Sequence, residues 1–217
     1  MRPGELLGSG RSADVYAFGP GRVLRRYRDG FDATGEADLM ARLAAHGYPV
    51  PEVHRGAEPT PADLVLERLT GPTMAEALFS GAEPPERAGA TLARLLRDLH
   101  ALPGRIVHLD LHPENVLLTP RGPVVIDWRN AEVGPPGLDD AMTALILAEA
   151  AVGPYPLAER VLPALLDGAD ATLPDHLDEA RARRAANPTL SAEEVARLAT
   201  AVSLIHRLFT GEPQISL

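Results

Sequence analysis

The chain has 217 residues, 45% of them hydrophobic, which is enough to bury the core of one domain or of two closely packed lobes. A formal net charge of −9 does not indicate a basic surface that would bind nucleic acid. The absence of cysteine excludes disulfides and thiolate metal sites. With no apolar run near the ~20 residues that span a bilayer and no signal peptide before Gly4, we expect a cytoplasmic protein without a membrane partner.

The first two predicted strands, 5–7 and 15–18, flank a segment that contains two glycines, G-S-G-R-S-A-D. Gly8 and Gly10 let the backbone turn tightly and approach a ligand without interference from a Cβ atom. Taken alone, such a pair of glycines is typical of a plain hairpin turn. Its interpretation therefore depends on the motifs that follow downstream.

A third strand is predicted for residues 22–27, where Arg25 and Arg26 point to opposite faces. Every basic side chain apart from histidine is arginine, since the chain contains no lysine. Two interpretations stay open at this point. One of the arginines contacts a ligand, or both are solvated residues of the strand.

An amphipathic helix is predicted for residues 33–46, and Gly47 follows it as a stop signal. Its apolar face is formed by Ala37, Met40, Leu43 and Ala44. Glu36 lies in the first turn, where an acidic side chain also interacts favourably with the helix dipole. Glu36 is therefore either a functional partner or a stabilising residue of the helix.

Two further strands, 49–54 and 63–69, complete the N-terminal sheet, and Gly71-Pro72 ends it. A boundary between lobes is therefore predicted near residues 67–71, and the chain beyond it becomes helical. The first predicted helix ends at Phe79, and two others run from Pro84 to His100 and from Ala158 to Leu166. Two more helices are predicted to begin at about Ala141 and at Ser191, where S-A-E-E forms a capping box. The segment 169–188 is the least ordered by composition.

The most informative segment, H-L-D-L-H-P-E-N-V-L-L, runs from His108 and leads to D-W after one more strand. Short β-branched runs at 106–107, 116–118 and 124–126 predict small buried strands. T-P-R-G-P joins the last two, which predicts a hairpin that brings Asp127 alongside Asn115.

Asp110, Asn115 and Asp127 are thus expected to converge at one end of a small sheet. Alone, each aspartate could cap a turn or a helix. Together, two carboxylates and an amide oxygen suit a hard cation such as Mg²⁺ with bound phosphates. His108 and His112 do not form a helical metal pair, because Pro113 and the flanking strands argue against a helix there. We expect His108 to brace the loop by hydrogen bonding.

The pattern H-x-D-x-x-x-x-N, followed by a strand that ends in Asp, resembles the phosphotransfer core of the eukaryotic-type kinase fold. The variant H-L-D-L-H-P-E-N-V-L-L with D-W is similar to the aminoglycoside phosphotransferase family. This resemblance implies an α+β, two-lobed protein-kinase-like fold. Residues 1–69 would form a small antiparallel-sheet N-lobe with one helix, and residues 70–217 a mainly helical C-lobe.

The resemblance also implies a reaction, the transfer of the γ-phosphoryl group of ATP or GTP to a hydroxyl of a small molecule. Asp110 would accept the hydroxyl proton, and Asn115 and Asp127 would hold one or two Mg²⁺ ions. Arg25, favoured over Arg26 by the pattern V-L-R, would replace the lysine that touches the α- and β-phosphates. An arginine there is not a conservative exchange.

Further roles follow from the same resemblance. Glu36 would pair with Arg25. Gly8, Ser9 and Gly10 would cover the phosphates, in a loop that Ala13 makes stiffer than usual. The Glu67 carbonyl and the Leu69 amide of the connector would hold the adenine ring.

The segment after Trp128 narrows the class of molecule that could accept the phosphoryl group. Only the ten residues R-N-A-E-V-G-P-P-G-L separate Trp128 from Asp139. The long segment on which protein kinases dock peptides, with its A-P-E motif, is therefore missing. Candidate acceptors are aminoglycoside-like compounds, other antibiotics and metabolites. Asp139 is either an anchor for the catalytic loop or a plain helix cap.

Two other functions are kept open. The alternative is a catalytically silent nucleotide-binding pseudokinase module, which Arg25 and Ala13 would allow. Phosphorylation of a protein or of a tRNA-associated factor is a weaker third interpretation, since the peptide platform is missing and the charge is acidic.

Overall fold

The structure is a computed structural model that describes residues 2–188 and 190–210. It confirms the predicted α+β class, with a four-stranded antiparallel sheet and one helix followed by a mainly helical part. The strands are β1 (Leu6–Ser9), β2 (Ala13–Ala17), β3 (Arg22–Tyr27), β4 (Asp63–Glu67), β5 (Ile106–Val107), β6 (Val116–Thr119), β7 (Gly122–Val125) and β8 (Glu132–Val133). The α-helices are α1 (Thr34–Ala45), α2 (Met74–Ser80), α3 (Pro85–His100), α4 (Pro136–Val152), α5 (Ala158–Leu166), α6 (Leu177–Ala185) and α7 (Ala192–Thr210).

The chain divides into two compact units. The first contains Met1–Pro72 and Leu117–Arg129, and the second contains Thr73–Val116 and Asn130–Leu217. The end of the predicted C-lobe, 211–217, lies outside the described residues. The division at residue 69 stays a prediction.

The sheet of the first unit has the order β1-β2-β3-β4, and every neighbouring pair is antiparallel. Phe18, Leu24 and Val65 form a small buried cluster on it. The strand predicted for 49–54 is wrong, because this segment contributes only an isolated bridge between Val53 and Leu66. Pro49 and Pro51 lack the N–H groups that a full ladder needs.

The predicted hairpin is confirmed, since β6 and β7 pair with each other. β5 pairs with β8 instead, so the single small sheet that we expected around the motif is two separate two-stranded sheets. From Leu117 onward the hairpin belongs to the first unit, where the Leu118 amide donates to the Pro72 carbonyl at 2.9 Å. Gly71 allows this approach, since a Cβ on it would lie 2.1 Å from the Leu118 carbonyl oxygen.

Helix α4 is the central helix of the second unit, because nearly every residue from Gly137 to Glu149 is buried. It packs against α5, α6 and α7, and α3 packs against α5. The capping box predicted before α7 is confirmed by reciprocal hydrogen bonds between Ser191 and Glu194. None of the helices in the described part of the chain combines the length and the apolar character that crossing a bilayer requires.

Two predicted features of this unit are wrong. Helix α4 begins at Pro136 rather than near Ala141, since a proline at the first helical position is a start signal that the pattern of apolar residues does not show. The segment 169–188, predicted to be poorly ordered, contains helix α6. Its few apolar residues, among them Leu177 and Ala180, are buried and anchor it to α4.

Helices α3 and α5 approach closely at Gly89. A Cβ on this residue would lie 2.2 Å from the Val161 carbonyl oxygen and 3.0 Å from the Ala164 Cβ. We expect Gly89→Ala to lower the free energy of unfolding by about 1–3 kcal/mol, because the backbones must separate. This cost exceeds the gain of up to ~1 kcal/mol that alanine brings to a helix interior.

Denaturant titration measures this difference. Gly35→Ala is the matched control, since Gly35 is an exposed helical glycine in α1 whose added Cβ meets nothing within 4 Å. It should leave stability unchanged or raise it. If both variants lost the same stability, close packing at Gly89 would not be the cause.

Candidate active site

Arg25 lies in β3, and its side chain is only 11% exposed. One guanidinium nitrogen, NH1, lies 3.4 Å from Oε1 of Glu36, and the other, NH2, donates to Oδ1 of Asp127. Burial lowers the pKa of Arg25, but the negative charges of Asp127 and Glu36 outweigh this and hold it above its usual value. The structure therefore brings three of the predicted site residues together within the first unit.

Glu36 is buried in the first turn of α1. Besides Arg25, it accepts a hydrogen bond from the Trp128 amide at 3.1 Å and one from the Tyr27 hydroxyl at 2.5 Å. Burial raises the pKa of Glu36, although Arg25 and Tyr27 oppose this effect. A residue that only stabilised the helix dipole would not need three donors, so Glu36 is the partner of Arg25.

Arg26 occupies the opposite side of the strand and has a different partner. Its Nε and NH2 atoms donate to the two carboxylate oxygens of Asp63, at 2.6 and 2.9 Å. Its side chain is 37% exposed, whereas the Asp63 side chain is fully buried. The structure thus gives the two arginines separate environments, and only Arg25 shares one with Asp127.

Asp127 follows β7 and has a φ of +64°, in the left-handed region that few non-glycine residues adopt. Aspartate and asparagine tolerate this conformation better than most residues. The neighbouring Trp128 is buried, and its indole N–H donates to the Val125 carbonyl at 3.1 Å. This anchor fixes the turn, and the Asp127 side chain stays 30% exposed.

The predicted phosphate loop lies between β1 and β2. Gly8 and Ser9 end β1, and the Gly10 amide donates to the Ala13 carbonyl at 2.9 Å. Ser9 Oγ donates to Asp14 at 2.6 Å, so its hydroxyl is engaged within the loop. Arg28 closes the loop, since its guanidinium donates to Asp14 and to the Gly10 carbonyl, both at 2.5 Å.

Neither Gly8 nor Gly10 adopts a left-handed φ. A Cβ on Gly8 would meet nothing within 4 Å, and one on Gly10 would meet only the Ala13 carbonyl oxygen at 3.6 Å. The fold of the loop therefore does not require glycine at either position. The two glycines leave room beside the loop that side chains would otherwise fill.

In the connector, Glu67 ends β4. Its carboxylate accepts hydrogen bonds from the Arg121 guanidinium and from the Glu52 amide, the latter at 3.0 Å. Leu69 is half-buried, and the Arg68 amide between them donates to the Gly21 carbonyl at 2.8 Å. The connector is therefore held firmly within the first unit, and its contact with a nucleotide base stays a prediction.

The second unit carries Asp110 and Asn115 on the loop after β5. This loop is anchored by Asp139, which is fully buried and accepts the amides of His108 at 2.8 Å and of Leu109 at 2.7 Å. Asp139 lies inside α4, which begins at Pro136, so it is an anchor rather than the helix cap. It also holds Leu109 at a φ of +61°, a conformation that costs a leucine roughly 1–2 kcal/mol.

Within the loop, the Asp110 amide donates to Nδ1 of His108 at 3.2 Å, which is the bracing role expected of this histidine. Asn115 donates from Nδ2 to the Asp110 carbonyl at 2.9 Å, and the same nitrogen lies 3.2 Å from Nε2 of His112. Because Nδ2 is held in this way, Oδ1 is the atom of Asn115 that a cation would use.

No group of three or more His, Cys, Asp or Glu side chains in residues 2–188 and 190–210 is arranged to hold a metal ion. The oxygen donors of Asn115 and Asp127 nevertheless suit Mg²⁺, which is commonly bound by one or two protein ligands together with substrate phosphates. These two residues belong to different units.

Sequence reasoning missed Tyr27 and Arg129. Tyr27 lies two residues after Arg25 and so shares its strand face, which is the signal that could have found it. The Arg129 guanidinium stacks over the Tyr27 ring and pairs with Asp29 at 2.6 Å. No short motif indicated this role for Arg129.

Comparison with known proteins gives a match to a family described as a phosphotransferase enzyme family, over residues 4–105 and 101–183. The aminoglycoside 3'-phosphotransferase of Streptomyces fradiae is 44% identical over 78 residues. That alignment covers 34% of this chain and 27% of the relative, so the chain spans well under two thirds of this protein.

Solved structures resemble the whole fold. The gentamicin complex of APH(2'')-IIa gives a TM-score of 0.59 at 12% identity and covers 94% of this chain and 92% of that chain. A choline/ethanolamine kinase family protein from Mesorhizobium loti gives 0.56 at 18% identity, with 96% and 92% covered. The amicoumacin kinase hAmiN, in complex with AMP-PNP and Ca²⁺, gives 0.55 at 18% identity, with 96% and 88% covered. At such identities the likeness establishes the protein-kinase-like fold alone.

Proposed function

Since the chain belongs to the phosphotransferase enzyme family, we propose that it transfers the γ-phosphoryl group of ATP or GTP to a hydroxyl group of a small molecule. One observation carries the proposal. Arg25 bonds Glu36 and Asp127 at once in a partly buried network, which links the proposed phosphate ligand to the proposed metal ligand.

Four residues of the first unit would bind the phosphates. Arg25 presents a permanent positive charge and a planar fork that grips phosphate oxygens in bidentate fashion. Gly8, Ser9 and Gly10 cover the phosphates with backbone. Glycine at two positions where the fold does not demand it supports this role, because phosphates need backbone that they can approach closely.

The nucleotide base and the metal use other groups. The Glu67 carbonyl and the Leu69 amide hold the adenine ring. Asn115 and Asp127 hold Mg²⁺, which when bound neutralises charge on the phosphates. Support comes from relatives of the same fold, which were solved with ATP in one case and with AMP-PNP in another.

Asp110 carries the transfer step. Its carboxylate accepts the proton of the acceptor hydroxyl while the hydroxyl oxygen forms a bond to the γ-phosphorus. The bond between that phosphorus and the β,γ-bridging oxygen breaks, and ADP or GDP leaves. Positioning and electrostatic stabilisation supply the rate enhancement, and no covalent enzyme intermediate forms.

The acceptor is a small molecule that carries a hydroxyl group, because the chain lacks a peptide platform. Several acids of the C-terminal helices, which would be candidates to bind an amine-bearing acceptor, have partners within the protein. Glu149 pairs with Arg184 at 2.9 Å, and Glu179 pairs with Arg183. Acceptor panels should therefore include hydroxyl compounds without amines.

Incubation with labelled ATP, Mg²⁺ and a panel of hydroxyl compounds, aminoglycosides and macrolides included, tests the proposal. A labelled product that requires both acceptor and protein is the expected result. Tight Mg²⁺-dependent ATP binding without transfer to any compound would favour the alternative, a silent nucleotide-binding module. Failure to bind ATP or GTP would overturn both.

Replacing each arginine of β3 separates their roles. We expect Arg25→Ala to weaken Mg²⁺-ATP binding by roughly 10- to 100-fold, the loss typical of a hydrogen bond to a charged group. Arg26→Ala should change it by less than about threefold and instead lower stability, because the buried Asp63 loses its partner. Isothermal titration calorimetry and thermal melting measure the two effects, and the reverse order would assign the phosphate role to Arg26.

A further inference from the structure

We infer that Tyr27 is a positioning residue for nucleotide binding: it fixes Glu36, and through Glu36 it sets the orientation in which Arg25 meets the phosphates. The inference rests on the proposed function, because it takes the phosphate-binding role of Arg25 from there.

Tyr27 ends β3, and its side chain is directed to the same face of the strand as that of Arg25. The residue is 2% exposed, and its hydroxyl donates to Oε2 of Glu36 at 2.5 Å. The other carboxylate oxygen, Oε1, receives Arg25 and the Trp128 amide. Tyr27 is thus the donor to the carboxylate oxygen that Arg25 does not bond.

The ring of Tyr27 contacts Arg25, the residue that pairs with Glu36. The Cζ atom of Arg25 lies 4.9 Å from the ring centroid, within the range of a cation–π interaction. The Cζ atom of Arg129 lies 5.1 Å from the same centroid. The ring of Phe31 packs edge-on against the Tyr27 ring, with 5.0 Å between the two centroids. One side chain therefore holds Glu36 with its hydroxyl and Arg25 with its ring.

This support matters because the direct contact between Arg25 and Glu36 is long. At 3.4 Å it exceeds the 2.7–2.9 Å that is typical of charge-assisted hydrogen bonds. A carboxylate held only by that contact could rotate with the guanidinium. A planar guanidinium must be oriented to grip phosphate, whereas the ammonium of a lysine acts as a point charge. Together with the Trp128 amide, the hydroxyl of Tyr27 removes the rotational freedom of Glu36.

Burial raises the pKa of Tyr27, so the phenol keeps its proton and remains the donor at neutral pH. Tyr27→Phe retains the ring and its contacts but removes this hydrogen bond. Tyr16→Phe, in the neighbouring strand β2, is the matched control.

Titration calorimetry with Mg²⁺-ATP on the whole chain tests the inference in a double-mutant cycle. Tyr27→Phe should weaken binding by roughly 5- to 20-fold, less than Arg25→Ala, because it removes a hydrogen bond within the protein and not one to the phosphates. Glu36→Gln should weaken binding as well. The double variant should bind no more weakly than Glu36→Gln alone, since both changes remove the same link. Tyr16→Phe should stay within about twofold of the parent chain.

Two results would overturn the inference while leaving the proposed function standing. In one, Arg25→Ala weakens binding but Tyr27→Phe does not. In the other, the two single effects multiply in the double variant, which would mean that Tyr27 acts independently of Glu36. If the parent chain bound no Mg²⁺-nucleotide, the proposed function would fail first and the inference with it.

Discussion

Asp110→Asn is expected to lower the rate of phosphoryl transfer by at least ~10²-fold, the scale of a lost general base. The amide has the size and shape of the carboxylate but cannot take up the acceptor proton. The backbone of residue 110 is held by hydrogen bonds of its amide to His108 and of its carbonyl to Asn115, neither of which involves the carboxylate. The variant should therefore melt close to the parent chain, and Mg²⁺-ATP should bind with similar affinity.

Glu114→Gln is the matched control for Asp110→Asn. It removes one negative charge from the same loop at an exposed position and should leave the rate nearly unchanged. A steady-state assay with the acceptor found in the panel measures both variants. Undiminished turnover by Asp110→Asn would remove its role as the proton acceptor.

Asp127→Ala is expected to abolish the part of nucleotide binding that depends on Mg²⁺. Calorimetry with ATP should then give the same affinity in Mg²⁺ as in a chelator, whereas the parent chain should bind much more tightly in Mg²⁺. Alanine at a φ of +64° also adds strain of roughly 1–2 kcal/mol, so a lower thermal midpoint is expected.

Asp127→Asn separates the charge from the strain, because asparagine tolerates the left-handed conformation. It should avoid the added backbone strain and still lose most of the Mg²⁺ dependence. Asp38→Asn, which removes an exposed carboxylate paired with Arg55, is the control and should keep that dependence. Unchanged affinity of the Asp127 variants in Mg²⁺ would refute the metal assignment.

The alternation of residues along the strands and several short motifs allowed much of the fold to be predicted from the sequence. Strand β3 was predicted with its observed ends, because the G-P-G turn delimits it on one side and its arginines alternate in register with the sheet. The prolines around Val50 had the opposite effect. The apolar pattern there predicted a strand, while the missing N–H groups reduced it to a single bridge.

The roles of individual side chains depended on contacts between residues that are distant in the chain. The position of Asp139 before an apolar run fitted a cap and an anchor equally well. Only the fold shows that it lies inside α4 and accepts the amides of residues 108 and 109. Tyr27 was read as an ordinary strand residue for the same reason, since its partner Glu36 comes from a helix whose placement the sequence does not specify.

The acceptor could not be inferred from charge patterns. The sequence does not show which acids have partners, and in the fold Glu149 is paired with Arg184 of α6. A count of acidic residues on predicted helices therefore says little about the charge of the acceptor.

The guanidinium that Glu36 and Asp127 hold in β3 has a practical consequence for chemical proteomics. Reagents that capture nucleotide sites commonly deliver an acyl group to a side-chain amine beside the phosphates. A guanidinium stays protonated and is a poor nucleophile, and the chain offers no lysine elsewhere. Surveys built on the acylation of lysine will therefore find no residue to label in this sequence.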